Sequence, residues 1–88
     1  RSAATILFRS LEKAKNLKSH GMNDLNLLTK NIRDYIGSEP LAKIDYISIV
    51  DPNTLEHLTK TPLTNNQILV LIAVNIGNIR LIDNMIFD

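Results

Sequence analysis

The sequence predicts an α+β fold in which two antiparallel helices pack on one face of a three-stranded antiparallel sheet. In the first 36 residues, apolar side chains recur at helical spacing. From residue 44 onward, runs rich in β-branched residues alternate with turn signals instead. Ile and Leu supply 25 of the 88 residues, which is enough apolar surface for the core of one small domain.

The first amphipathic helix is predicted over residues 2–20. Ser2 is its candidate N-cap, and Gly21 is its candidate stop because Gly tolerates the left-handed conformation at a helix C-terminus. Its apolar stripe consists of Ala4, Leu7, Phe8, Leu11, Ala14 and Leu17.

A second helix is predicted over residues 24–36. Asn23 or Asp24 supplies its N-cap, and Gly37 ends it before the Pro40 break. Its apolar stripe consists of Leu25, Leu28, Ile32, Tyr35 and Ile36. The short link between the helices predicts that they lie antiparallel.

The first strand is predicted over Ile44–Val50, where β-branched and aromatic residues dominate up to an Asp-Pro break. Residues 51–54 have the composition of a turn. Residues 55–66 form a polar connector, with a short extended piece at 55–58. Three Leu residues of the connector could help it fold back over the sheet, although it is too polar to cover a face fully.

The last two strands are predicted as a hairpin, Gln67–Ile76 and Ile79–Asp83, joined by a turn with Gly77 at its first central position. The run Ile68–Val74 is apolar without alternation, so both faces of its strand should be covered. Two helices cover only one face. We therefore expect the isolated domain to self-associate weakly through its sheet.

The net charge of +1 gives no general attraction to nucleic acid, and an aromatic content of 5% disfavours base stacking. Residues 1–20 nevertheless carry five basic side chains against Glu12 alone. We favour a solvated helix face over contact with a phosphate-bearing ligand or an acidic partner. The absence of Cys excludes thiol chemistry. The longest apolar run is far below the ~18 residues of a membrane span, and there is no signal peptide pattern.

No catalytic, cofactor-binding or metal-binding residue is predicted. His20 and His57 lie in or beside polar loops without a Ser-His-Asp pattern, so we expect surface histidines. The three glycines stand alone, whereas a phosphate-cradling loop needs clustered glycines. The residues alone therefore indicate a soluble α+β domain without a self-contained active site.

Two stretches carry a family resemblance. The first has the pattern D-Y-x-x-x-V-D-x-x-T-L, and the second is R-L-I-D-N over residues 80–84. The residues that match the first pattern are Asp45, Tyr46, Val50, Asp51, Thr54 and Leu55. In order and spacing, both stretches resemble the C-terminal domain of the pantothenate synthetase family, also called pantoate–β-alanine ligases. The first helix, with Arg1, Ala3, Leu7 and Leu11, is similar as well.

The resemblance implies a C-terminal lid-type domain spanning residues 1–88 of a larger cytoplasmic ligase. That ligase uses ATP and Mg²⁺ to form pantoyl adenylate, and β-alanine then displaces AMP to give pantothenate. The family's H-I-G-H and K-M-S-K-S-like motifs lie in a Rossmann-like N-terminal domain and do not occur here. Since the chain also starts with Arg1 rather than Met, we expect a fragment that is inactive alone, binds no cofactor, and has the N-terminal domain as its partner. The alternative is a small α+β protein-interaction or nucleic-acid-binding module.

The matched polar residues have two interpretations each. Asp45, Asp51 and Asp83 could bear on substrate, but carboxylates at turns and strand ends mostly cap or pair. Arg80 could reach a phosphate, but we favour a bracing bond, worth about 1.5–3 kcal/mol if partly buried, to Asp45 or Asp83. Tyr46 lies inside a strand and is predicted to belong to the core.

Overall fold

A computed structural model describes residues 3–88, with side chains from Thr5 onward, and confirms the predicted α+β class. Both helices contact the sheet, the first mainly through the last strand and the second through the first strand. The predicted Ser2 cap and the Ala4 side chain lie outside the described residues. The elements are α1 (Ala3–Ser19), α2 (Leu25–Gly37), β1 (Ala42–Val50), β2 (Ile68–Ile76) and β3 (Ile79–Phe87).

Helix α1 buries most of its predicted stripe. Leu7, Leu11 and Ala14 are fully or almost fully buried, but Phe8 is nearly half exposed, so its assignment to the stripe was wrong. Successive helical residues are rotated by about 100°, which places Phe8 on the outer flank of the stripe. Ile6 on the other flank is buried instead.

The helix ends follow local capping chemistry. The Asp24 carboxylate accepts a hydrogen bond from the Leu27 amide at 3.0 Å, so Asp24 rather than Asn23 is the N-cap of α2. Gly21, at φ 105°, ends α1 as predicted. Helix α2 runs through Gly37, and Ser38 is its C-cap.

Strand β1 begins at Ala42, two residues before the predicted start, and contains a bulge at Asp45. In a regular strand Ile44 and Ile47 would face opposite sides, because they are three residues apart. The extra residue places them opposite Val74 and Ile72, so that both face the helices. The bulge therefore aligns the apolar residues of β1 with the core.

The sheet has the order β1-β2-β3, with both pairs antiparallel. Gly77 has φ 60° in the β2–β3 turn, as the hairpin prediction requires. Strand β3 runs four residues past the predicted end at Asp83. Phe87 pairs with Ile68 and is fully buried, so core packing accounts for the longer strand.

The connector between β1 and β2 closes the helix side of the sheet. Leu63 belongs to the core, and its amide donates to the Asn23 carbonyl in the α1–α2 link at 2.7 Å. Of the extended piece predicted at residues 55–58, only the second half pairs with β1. His57 forms an isolated β-bridge with Val50, and the Leu58 amide donates to the Ile49 carbonyl. Leu55 is not extended, because its φ is 62°.

The core lies between the helices and one face of the sheet. On β2, four alternate residues point into it and are fully buried: Ile68, Val70, Ile72 and Val74. From the helices, the fully buried partners are Leu11, Ala14, Leu28, Ile32 and Ile36. The residues between the four on β2 necessarily point to the other face.

Candidate functional site: the open face of the sheet

The side of the sheet that faces away from both helices is the candidate site, and we call it the open face. Directly paired residues of antiparallel strands share one face, so the register defines its members. Across β1, β2 and β3 they form four rows: Lys43, Asn75 and Arg80; Tyr46, Ala73 and Ile82; Ser48, Leu71 and Asn84; and Val50, Leu69 and Ile86.

The open face carries apolar side chains that the described part of the chain leaves accessible. Ile82 is 63% exposed, Ile86 45% and Tyr46 38%. Leu69 and Leu71 between them are half-buried, whereas Val50 and Ala73 on the same face are buried. Contiguous apolar surface of this kind commonly marks a contact with another protein surface. The observation fits the expectation that helices alone do not cover β2.

Tyr46 was predicted to lie in the core, and this location was wrong. Regular alternation would put Tyr46 on the same side as Ile44, in the core. The bulge at Asp45 shifts the pairing, so Tyr46 lies opposite Ala73 on the open face. The three-residue spacing of Ile44 and Ile47 was the sequence signal for this shift.

Arg80 and Asp45 form an ion pair at the polar end of the open face. An Arg80 Nη lies 2.8 Å from an Asp45 carboxylate oxygen, and the pair spans the sheet from β3 to β1. Arg80 was expected to brace the sheet through Asp45 or Asp83, and the bond that the structure shows is the one to Asp45. The side chains are 52% and 40% exposed, however, so the bond is solvated. Exposed pairs contribute about 0.2–1 kcal/mol, less than the partly buried bond expected from the sequence.

Asp51 organises the turn after β1. One carboxylate oxygen accepts the amides of Asn53 at 2.8 Å and Thr54 at 3.1 Å, and the other accepts the Asn65 side-chain amide at 3.0 Å. Both oxygens are therefore engaged within the domain. This geometry supports capping of the turn as the role of Asp51.

A polar depression of about 420 Å³ adjoins this turn. Its walls come from six residues: Asp51, Pro52, Asn53, Asn65, Asn66 and Gln67. None of these lining residues is cationic or nucleophilic. Nearby, the Lys18 ammonium donates to the Asn66 carbonyl at 3.1 Å. The lining therefore does not fit a phosphate-bearing ligand.

The other polar residues singled out in the sequence do not converge on one site. Asp83 lies opposite Ile72 on the helix side of the sheet, and its carboxylate accepts the Asn84 amide at 2.8 Å. His20 follows α1, with Nδ1 2.7 Å from the Asn16 carbonyl oxygen, whereas His57 lies beside β1. In the described residues, no group of three or more His, Asp or Glu is placed to hold a metal ion.

Two basic side chains of α1 have partners within the domain. The Lys13 ammonium lies 5.7 Å from the centroid of the Tyr35 ring, and Lys18 bonds Asn66 as described above. These contacts support a local structural role for part of the basic face. Over residues 3–88, the helices are too short or too polar to cross a membrane.

Comparison with known proteins identifies one family. The sequence model of the family described as Pantoate-beta-alanine ligase matches residues 1–86. Pantothenate synthetase from Clostridium acetobutylicum is 48% identical over 88 residues, and that from Clostridium botulinum strain Loch Maree is 52% identical over 88 residues. The matches cover 100% and 99% of this chain but 30% of each relative. The chain thus spans about a third of the length of these curated relatives.

A solved structure agrees at the level of the fold. The structure of pantothenate synthetase from Thermus thermophilus superposes with a TM-score of 0.76, covering 97% of this chain and 31% of that chain. Sequence identity there is 23%, so this match speaks for the fold alone. The comparisons do not favour the alternative of an unrelated interaction or nucleic-acid-binding module.

Proposed function

The chain belongs to the pantoate–β-alanine ligase family, and from this premise we propose that it is the C-terminal lid domain of an ATP-dependent ligase. In the proposed reaction, the pantoate carboxylate attacks ATP to give pantoyl adenylate and pyrophosphate. The amine of β-alanine then attacks the acyl carbon, and AMP leaves as pantothenate forms. The observation that carries the role of this domain is the exposed apolar open face.

A lid has a clear physical purpose in this chemistry. An acyl adenylate is activated, so water that reaches it hydrolyses it before the amine can attack. A rigid body that closes over the site excludes water and strengthens the electrostatic interactions inside. The buried core makes this domain rigid, and the accessible Ile82 and Ile86 give it an apolar underside. We propose that this underside contacts the N-terminal catalytic domain of the same polypeptide.

ATP and Mg²⁺ are proposed to bind to the N-terminal catalytic domain, which we place in the cytoplasm. The basis is the arrangement of this chain's own residues. Its glycines stand apart at Gly21, Gly37 and Gly77, and its polar depression has no cationic lining residue. We expect no heat of binding when the 88-residue chain is titrated with MgATP in a calorimeter. Binding with micromolar affinity would contradict this assignment.

The lid role is tested by the coupling between the two half-reactions. The full-length enzyme should release one AMP for each pantothenate, because the adenylate is protected from water. A variant that lacks the region of these 88 residues should still release some AMP but should form much less pantothenate. Quantification of both products by chromatography measures the ratio. A truncated enzyme that keeps the one-to-one ratio would contradict the lid role.

A further inference from the structure

The turn after β1 holds Leu55 in an unfavourable conformation at the surface. Its φ is 62°, in the left-handed region, and 64% of its surface is exposed. A branched residue is uncommon there because its Cβ crowds the following carbonyl oxygen, whereas Gly avoids the clash. An exposed leucine alone needs no explanation. An exposed leucine in a strained conformation does need an explanation, because its side chain buries little apolar surface within the domain to offset the strain.

Backbone hydrogen bonds fix this conformation without help from the leucine side chain. The Leu55 amide donates to the Asp51 carbonyl at 2.8 Å, and the Asp51 amide donates to the Glu56 carbonyl at 2.9 Å. The Asp51 carboxylate accepts the amides of Asn53 and Thr54, and His57 forms an isolated β-bridge with Val50. The turn is therefore over-determined, and a Gly at position 55 would satisfy the same bonds with less strain.

The position of the turn indicates what the side chain is for. The turn leaves β1 directly after Val50, whose row on the open face also contains Leu69 and Ile86. Leu55 thus lies in the turn at the end of the sheet that carries the apolar row, opposite the end with the Arg80–Asp45 pair. The match covers 30% of the length of the relatives. The rest of their polypeptide is therefore large enough to provide a surface that this turn contacts.

We propose that Leu55 is a docking anchor whose side chain inserts into an apolar pocket on the N-terminal catalytic domain of the same polypeptide. The inference rests on the proposed lid function and extends it by naming the contact that sets the lid's position. The strain at position 55 is then compensated by burial that exists only in the docked state.

The test compares Leu55→Gly and Leu55→Ala in the 88-residue chain and in the full-length enzyme. In the 88-residue chain, Leu55→Gly should leave the melting temperature unchanged or raise it by a few degrees, because relief of strain offsets the added flexibility of the unfolded chain. In the full-length enzyme, both variants should lower kcat/KM for pantothenate formation by about tenfold or more, since a buried leucine contact is lost. Leu41→Ala is the matched control: Leu41 is 65% exposed at the hairpin end of the sheet, and its substitution should change kcat/KM by less than about twofold.

Two results would overturn the proposal. One is a full-length Leu55→Gly enzyme that is as active as Leu41→Ala, because the side chain would then have no partner. The other is a Leu55→Gly substitution that lowers the melting temperature of the 88-residue chain by several degrees, because Leu55 would then act within the domain. A full-length wild-type enzyme that makes no pantothenate would instead refute the proposed function itself, so the two failures are distinguishable.

Discussion

The two faces of strand β2 use nearly the same residue types for different purposes. On the helix face, Ile68, Val70, Ile72 and Val74 are fully buried among side chains of α1 and α2. On the open face, Leu69 and Leu71 are only half-buried, and their neighbour on β3, Ile86, is 45% exposed. The difference arises from what lies above each face and not from the composition of the strand.

This contrast separates the residues that fold the domain from those that are free to contact something else. Burial of apolar surface stabilises a fold or a complex by roughly 25 cal/mol per Å². An apolar face that is still exposed can therefore gain this free energy by associating with another surface. The helix face already gains this free energy, because it is buried within the domain. The open face can realise it only against another surface. Substitutions on the helix face should therefore change the stability of the domain, whereas substitutions on the open face should change its association with another surface.

The largest effect is expected on the helix face. Ile72→Ala should lower the free energy of unfolding by about 2–5 kcal/mol, because it leaves a cavity in a fully buried site. Ile82→Ala on the open face should change it by less than about 0.5 kcal/mol. Urea denaturation of the 88-residue chain compares the two. Ile72→Val, with an expected loss of about 0.5–1.5 kcal/mol, provides a second reading if Ile72→Ala does not fold. Equal losses for Ile72→Ala and Ile82→Ala would remove the distinction between the faces.

The bulge at Asp45 assigns residues of β1 to the two faces. Deletion of Asp45 should remove the extra residue without exchanging the faces, because Ile44 then directly precedes Tyr46 and stays opposite Val74 on the helix side. The exposed ion pair to Arg80 is lost, which predicts a decrease of only about 0.2–1 kcal/mol in the free energy of unfolding. Asp45→Ala keeps the residue count, so it serves as the control and should cost under about 1 kcal/mol. A deletion that costs several kcal/mol more than this control would show that Asp45 is not simply an extra residue between two regular stretches of β1.

The ion pair at the polar end of the open face should matter less than the packing of the helix face. Arg80→Ala should lower the free energy of unfolding by about 0.2–1 kcal/mol, and 1 M NaCl should reduce the difference because the pair is solvated. A double-mutant cycle with Asp45→Ala isolates the coupling between the two charges. In the full-length enzyme, ATP affinity should stay unchanged. A large loss of affinity with an unchanged melting temperature would place Arg80 in the active site.

The smallest effect is self-association through the open face. At high concentration the 88-residue chain should form weak dimers, because the described residues leave Ile82 and Ile86 accessible. Ile82→Lys should abolish them, since a charge on the contact would have to be desolvated. Sedimentation velocity over a wide concentration range measures both. A wild-type chain that stays strictly monomeric would show that the face is unattractive to its own copies.

Sequence patterns predicted what depends on neighbours along the chain. The cap at Asp24, the stop at Gly21 and the hairpin turn at Gly77 follow from residue types with narrow backbone preferences. A bond from Arg80 to Asp45 or Asp83 was also predicted, because Arg–carboxylate pairs commonly hold sheet ends, and the structure shows the pair with Asp45. All of these features are local or involve paired charges.

Features that depend on tertiary packing were not predicted correctly. Tyr46 was assigned to the core because strict alternation ignores the bulge, which forms to bring Ile44 and Ile47 to one side. Phe8 was assigned to the helical stripe because its spacing fits one edge of that stripe, which faces solvent in the fold. The open face itself was anticipated from the uninterrupted apolar run in β2, but its accessible members on β3 were not named.

The most direct test of the central claim uses Ile82→Lys in two settings. In the 88-residue chain, we expect a melting temperature within about 2 °C of the wild type, because the side chain is 63% exposed. In the full-length enzyme, we expect kcat/KM for pantothenate formation to fall by about tenfold or more, because the lysine would be desolvated in the proposed contact between the open face and the catalytic domain. Full activity with an intact fold would contradict the claim that this domain works through its open face.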